Sequence, residues 1–281
     1  MRKFAGYPIV INYNLHTQLR SRPKELALHQ AAKYEAERQL TIKTNTSSDG
    51  AIENNLWKKE IDQYEGTVHQ MLQKVEANPV GRTVLGLINK QATVWIIPKS
   101  DADLKQCNCA QTNPLKFDIP KDGSYARGFG SGDTVIQFRP ELEDDTLLHE
   151  LVHAYRYSYN KYRPIVMDVW DGDTGDIQNS EEFFAHQMET IYLSQANRPL
   201  ELDYKWARVS DKATIYDFLV KNTKMLQALK GFLRHEYMAM IAAHTFSAVY
   251  NPFRDFKSLE AANLMNRSAN ELPELSPLAG S

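Results

Sequence analysis

One five-residue run, His149-Glu150-Leu151-Val152-His153, constrains this chain more than any other. It lies in a stretch from Asp144 to about Tyr159, where Leu148, Leu151, Val152 and Tyr155 recur at helical spacing. A helix turns about 100° per residue, so residues four apart stand one above the other. Both imidazoles therefore share one flank. The apolar stripe beside them predicts a helix anchored on one side and open to a cleft on the other. Two imidazoles so placed can reach a common Zn²⁺ at about 2.0–2.1 Å each. Glu150, between them in sequence, is placed to take a proton from water that the metal activates.

Three fixed residues are a short pattern, and a solvated helix face carrying two histidines is the competing reading. A third ligand decides, because catalytic zinc takes three protein ligands and keeps one position open. A histidine six residues after the second would serve, but that position is Tyr159. The other source is a carboxylate on a later helix, and Asn179-Ser180-Glu181-Glu182-Phe183-Phe184-Ala185-His186 offers two. Phe184, Met188, Ile191 and Tyr192 recur at helical spacing and predict a core-facing stripe. Glu182, His186 and Glu189 fall on the opposite side, while Glu181 falls near the stripe. Ser180 or Asn179 can cap this helix, and two acids in its first turn suit the macrodipole, so a capping role competes with a ligand role.

The stretch Glu182-Phe183-Phe184-Ala185, about thirty residues after the histidine pair, resembles the glutamate helix of gluzincins. It is closest to the corresponding stretch of the anthrax lethal factor catalytic domain and its secreted bacterial relatives. His149-Glu-Leu-Val-His-Ala-Tyr-Arg156 is similar to NleD-type effector metallopeptidases, which pathogens inject into host cells. The resemblance covers roughly Thr93 to Ser194. It implies an α+β zincin-like fold, mostly helical, with a small sheet beside the histidine helix. It also implies His149, His153 and Glu182 as zinc ligands, with Glu182 chosen over Glu181. The activity implied is zinc-dependent endopeptidase action on a protein or peptide substrate, in a bacterial secreted effector or toxin delivered to a target-cell cytosol.

Two positions depart from the family pattern. His186 stands where gluzincins often carry an acid that orients a zinc-bound histidine. Gly175 stands where the lethal factor group carries its oxyanion-stabilising tyrosine. That role must fall elsewhere, with Tyr157 the first choice and Arg156, His186 and Tyr192 behind it. Two rival functions are a non-catalytic zincin-like binding module, which has no need of Glu150, and a zinc amidase acting on cell-wall peptide.

A net charge of −2 argues against nucleic acid or an anionic membrane as partner. No run approaches the ~18 apolar residues of a membrane span. The start, Met1 to Ile11, lacks a long apolar region and a small-residue cleavage site, so a secretory signal peptide is not expected. That agrees with a specialised secretion route without showing one, with a cytoplasmic setting as the alternative expectation, and the oligomeric state stays open. Cys107 and Cys109 are too close to staple the fold and read as free thiols.

Along the chain, residues 24–40 read as a helix, and residues 1–50 as a helical extension packed on the core. The metallopeptidase domain is expected over residues 51–265, and a disordered tail over 266–281. Helices are predicted from about Leu56 to Val75, from Val80 to Ile88 and through Ala213 to about Ala248. Strands are predicted within Gln91 to Pro98 and Asp133 to Phe138. Residues 99–132 read as a long polar connection, and the acidic run Asp168 to Asp176 as a substrate-facing loop. In zincins a cleft-lining strand takes the substrate as an added strand, and Thr134 and Ile136 are the expected contacts. His235 and His244 read as packed or exposed histidines.

Overall fold

A computed structural model of the protein describes residues 1–13, 48–99, 111–114, 132–163, 180–201, 208–209, 212–221, 223–243 and 250–270. The chain falls into two units, Met1–Tyr162 and Arg163–Ser281. The division passes between the two motif-bearing helices. The expected helix at 24–40, Cys107, Cys109, the 168–176 acidic run with Gly175, His244 and residues 271–281 lie outside the described residues.

The first unit is built on β-branched runs. Five strands, β1 (Arg2–Phe4), β2 (Ile9–Ile11), β3 (Val94–Pro98), β4 (Gln111–Pro114) and β5 (Thr134–Phe138), form one sheet in the order β1-β2-β3-β5-β4. β2, β3 and β5 run parallel, with Ile9 opposite Val94 and Ile96 opposite Ile136. β1 and β4 run antiparallel to their neighbours. Parallel strands are covered on both faces: Ile9, Ile11, Val94, Ile96 and Ile136 are buried on one face, and Val10, Val135 and Ile97 on the other. The chain start thus belongs to the central sheet, which corrects the expected helical extension for residues 2–4 and 9–11.

Among the described residues, three helices join this sheet: α1 (Ser48–Ala77), α2 (Pro79–Leu87) and α3 (Asp144–Ser158). Asn78 separates the first two, accepting from the amides of Val80 and Gly81 with Pro79 at the first helical position. α3 packs on β4 and β5 and against α1 and α2. Tyr64 of α1 donates to the Phe138 carbonyl at the end of β5 at 3.3 Å, fixing helix to sheet. Burial pushes that phenol well above its ordinary pKa, with Glu65 nearby adding to the shift.

The second unit comprises α4 (Ser180–Gln195), a short antiparallel pair β6 (Leu200–Glu201) and β7 (Arg208–Val209), then α5 (Lys212–Lys221), α6 (Thr223–Phe232), α7 (His235–Ala242) and α8 (Phe256–Asn270). The stretch expected to be helical over 213–248 is helical where it is described, in three successive helices. Arg234 adopts an extended backbone and starts α7 afresh. α4 packs on α6, where Phe184 and Phe232 stack at 4.7 Å, and α8 lies on α5 and α6. The expected tail is helical as far as Asn270. Among the described residues, no helix is long and apolar enough to cross a membrane. The architecture is α+β, mostly helical, with one small mixed sheet beside α3.

Candidate metal centre

α3 forms because its sequence satisfies both ends. Asp144 and Asp145 sit in the first turn, where the helix dipole favours negative charge. At the other end, Asn160 adopts a left-handed φ of 55°. Its amide reaches the Tyr157 carbonyl and the Lys161 amide reaches the Arg156 carbonyl, the paired bonds of a Schellman cap. The Arg156 guanidinium donates to the Lys161 carbonyl at 2.9 Å, so this arginine helps close the helix end. The Asn89 side chain donates to the Ser158 carbonyl at 3.1 Å, and the Asn89 amide donates to the Ser158 hydroxyl at 3.1 Å. Gly132, at φ +104°, passes so close that a Cβ there would meet the Ser158 carbonyl oxygen at 2.5 Å. Only glycine tolerates that approach, so the strand-to-helix spacing depends on it.

The helix is more enclosed than a one-sided amphipathic pattern predicts. Leu147, Leu148, Leu151, Val152, Ala154 and Tyr155 are buried, and so are Glu150, His153 and Arg156. Thr146, His149 and Tyr157 keep partial exposure and form one stripe with His153. On that stripe the Nε2 atoms of His149 and His153 face each other at 3.1 Å. Two nitrogens at about 2.0–2.1 Å from one tetrahedral zinc stand about 3.3 Å apart. The imidazole pair therefore has the separation that a shared tetrahedral cation requires. Their rings meet edge to face at 4.9 Å between centroids.

Glu150 is buried, and its carboxylate Oε2 accepts from the Thr112 hydroxyl at 2.5 Å. The same hydroxyl lies 3.1 Å from the Glu150 carbonyl oxygen. Thr112 belongs to β4, the strand next to α3 at the end of the sheet. Sequence reasoning missed it, because Gln111-Thr-Asn-Pro114 sits within a polar stretch and has no strand-like pattern. The topology also corrects the expected substrate strand. β5, with Thr134 and Ile136, is hydrogen-bonded on one side to β3 and on the other to β4. It has no edge to offer an added strand, whereas β4 has one neighbour among the described residues.

Tyr157 is half-buried, and its ring stacks on Tyr162 at 4.1 Å with the planes 15° apart. Tyr162 in turn sets its ring at 72° to that of His153, 5.7 Å between centroids. Tyr162 is thus the aromatic neighbour of a motif histidine, a placement that no local sequence pattern signals.

In the second unit, the predicted core stripe of α4 is present: Phe184, Met188, Ile191 and Tyr192 are all buried. Glu181 is fully buried, and its carboxylate accepts from the Arg163 amide at 2.8 Å, a structural tie back to the start of that unit. Glu182 keeps partial exposure. His186 and Glu189 are buried on the same side of α4, with Nδ1 and Oε2 3.5 Å apart, so the carboxylate orients the imidazole. Among the described residues, buried histidine and glutamate groups on these helices could hold a metal ion. The structure faces His149 to His153 on the helix that also carries Glu150 in the first unit, and Glu182 lies in the first turn of α4 in the second. No family model, curated protein or solved structure matches the chain.

Proposed function

We propose that this protein is a zinc-dependent endopeptidase, with His149, His153 and Glu182 holding the metal and Glu150 as general base. The observation that carries the reading is the facing of two imidazole Nε2 atoms at 3.1 Å on the helix that also presents Glu150. Two nitrogens and a carboxylate oxygen are a donor set that zinc takes in catalytic sites. Zinc held there supplies a Lewis acid that makes water acidic and polarises a scissile carbonyl. Glu150 then accepts the proton of the attacking water and delivers it to the departing amine. β4 is the strand on which an extended peptide would add through main-chain hydrogen bonds, bringing its scissile bond beside α3. The resemblance to injected and secreted metallopeptidases makes a protein of a target cell the proposed substrate.

Glu182 is chosen over Glu181 because the latter carboxylate is already committed to the Arg163 amide. The alternative donor set is His149 with His186 and Glu189. Metal analysis separates the two: Glu182→Ala should empty the site, while Glu189→Ala should leave it filled. Mapping new protein N-termini in cell extract treated with wild type or Glu150→Gln tests the activity itself. Cleavages made by wild type alone support the reading, and identical N-termini in both samples reject it.

A further inference from the structure

We propose that Thr112 is a positioning residue for Glu150, tying the orientation of the base to the edge strand. This inference rests on the peptidase reading above. The two residues are 38 positions apart in sequence, and the bond between them joins the end strand of the sheet to the centre of α3. A threonine hydroxyl has one hydrogen to give. Its oxygen lies 2.5 Å from the Glu150 carboxylate and 3.1 Å from the Glu150 carbonyl. The carboxylate is the nearer acceptor and the stronger one, since bonds to a charged oxygen are shorter and about twice as strong.

The consequence is geometric. A glutamate side chain has three torsions, and one oxygen held by Thr112 removes most of that freedom before any substrate arrives. It also divides the work between the two oxygens: Oε2 is engaged by the hydroxyl, so Oε1 is the one turned to proton transfer. Thr112 is stiff at χ1 because it is β-branched, which makes its hydroxyl a fixed post. A peptide added along β4 would brace the strand that carries this post. Binding of the chain and readiness of the base are therefore linked through one hydroxyl.

Thr112→Val keeps the shape and removes the donor, and Thr112→Ser keeps the donor. In the zinc-loaded enzyme, Thr112→Val should lower kcat by about 10²-fold, the cost of misplacing a reacting group by about an ångström. KM should change little, and Thr112→Ser should recover most of the loss. A threonine that merely packs would not produce a kcat-only effect that serine repairs. In the metal-free protein, a double-mutant cycle of Thr112→Val with Glu150→Ala, which removes the acceptor, should be non-additive in unfolding. Wild-type kcat in Thr112→Val beside an inactive Glu150→Gln overturns the positioning role and leaves the peptidase reading standing. Additive unfolding effects overturn it as well. Wild-type hydrolysis by Glu150→Gln rejects the peptidase reading, and the role of Thr112 with it.

Discussion

The His149 and His153 imidazoles turn the same nitrogen, Nε2, toward each other at 3.1 Å. Either one ring donates to the other, or a cation stands between them. On the proposed reading a shared cation accounts for two nitrogen donors on the partly exposed stripe of an otherwise enclosed helix. We expect about one Zn²⁺ per chain in the purified protein, measured by elemental analysis. His149→Ala and His153→Ala should each lose most of it. Glu181→Ala should keep its zinc but unfold at lower urea, because the Arg163 amide loses a buried charged acceptor. Zinc loss in Glu181→Ala with retention in Glu182→Ala would exchange the roles assigned to these neighbours.

Glu150→Gln keeps the size of the side chain and its place beside Thr112. It removes the proton acceptor alone. Zinc content and thermal midpoint should stay near wild type, while hydrolysis falls by about 10²–10⁴-fold, the usual share of general-base catalysis. A stable, zinc-replete variant with near wild-type turnover would end the case for Glu150 as base.

The two motif helices were legible because their information is local. Four apolar residues at helical spacing and two acids in the first turn are enough to place α3, and the same pattern places α4. The strands that flank the central pair were not legible. Ile9–Ile11 is only three residues long, and it is a strand because β3 lies beside it, more than eighty residues away. Gln111–Pro114 has weak strand propensity and forms β4 through its pairing with β5. Thr112 and Tyr162 escaped for the same reason, since each meets the motif helix or its side chains through tertiary packing. The partners of the motif were hidden where they depend on contacts across the fold.

The placement of α3 can be tested without any activity. Gly132 holds φ +104° with the Ser158 carbonyl 2.5 Å from a would-be Cβ, whereas Gly86 in α2 has nothing within 4 Å. Gly132→Ala should destabilise by at least about 1–3 kcal/mol, from backbone strain and a clash with backbone that cannot yield. Gly86→Ala should instead stabilise by roughly 0.5–1 kcal/mol, the ordinary gain for alanine within a helix. Urea unfolding of both variants compares them directly, and equal midpoints would show that the Gly132 approach is not a constraint.

Alkaline pH should weaken the second unit through Tyr216. Burial, then the hydrogen bond to Asp255, pushes its phenol up to about 12 from an ordinary value of 10. A folded-state pKa raised above the unfolded one gives stability that is complete below the unfolded value and lost as pH rises through the folded value. Stability should therefore be flat up to about pH 10 on this account and fall between about 10 and 12. Tyr216→Phe should be less stable at neutral pH, having lost its bond to Asp255, and should show a shallower alkaline decline. An identical alkaline slope in the variant would assign the decline to other groups, Tyr250 first among them, since burial raises that phenol too.

On the proposed peptidase reading an oxyanion donor is the remaining role, and Tyr157 is the residue we propose for it. Its ring is held by the stack on Tyr162, and Tyr162 rests edge-on against His153, so both phenols belong to one aromatic cluster beside the histidine pair. Arg156 is a poorer choice, because its guanidinium already serves the Lys161 carbonyl at the helix end. Loss of one oxyanion donor costs about 10²–10³ in kcat. Tyr157→Phe should show that loss with little change in KM, since the hydroxyl acts mainly in the transition state. The phenylalanine ring preserves the stack, so zinc content and stability should hold. Tyr162→Phe is the matched comparison, with the same ring retained and the other hydroxyl removed. A full kcat in Tyr157→Phe together with a 10²-fold fall in Tyr162→Phe would move the role to the tyrosine that touches His153.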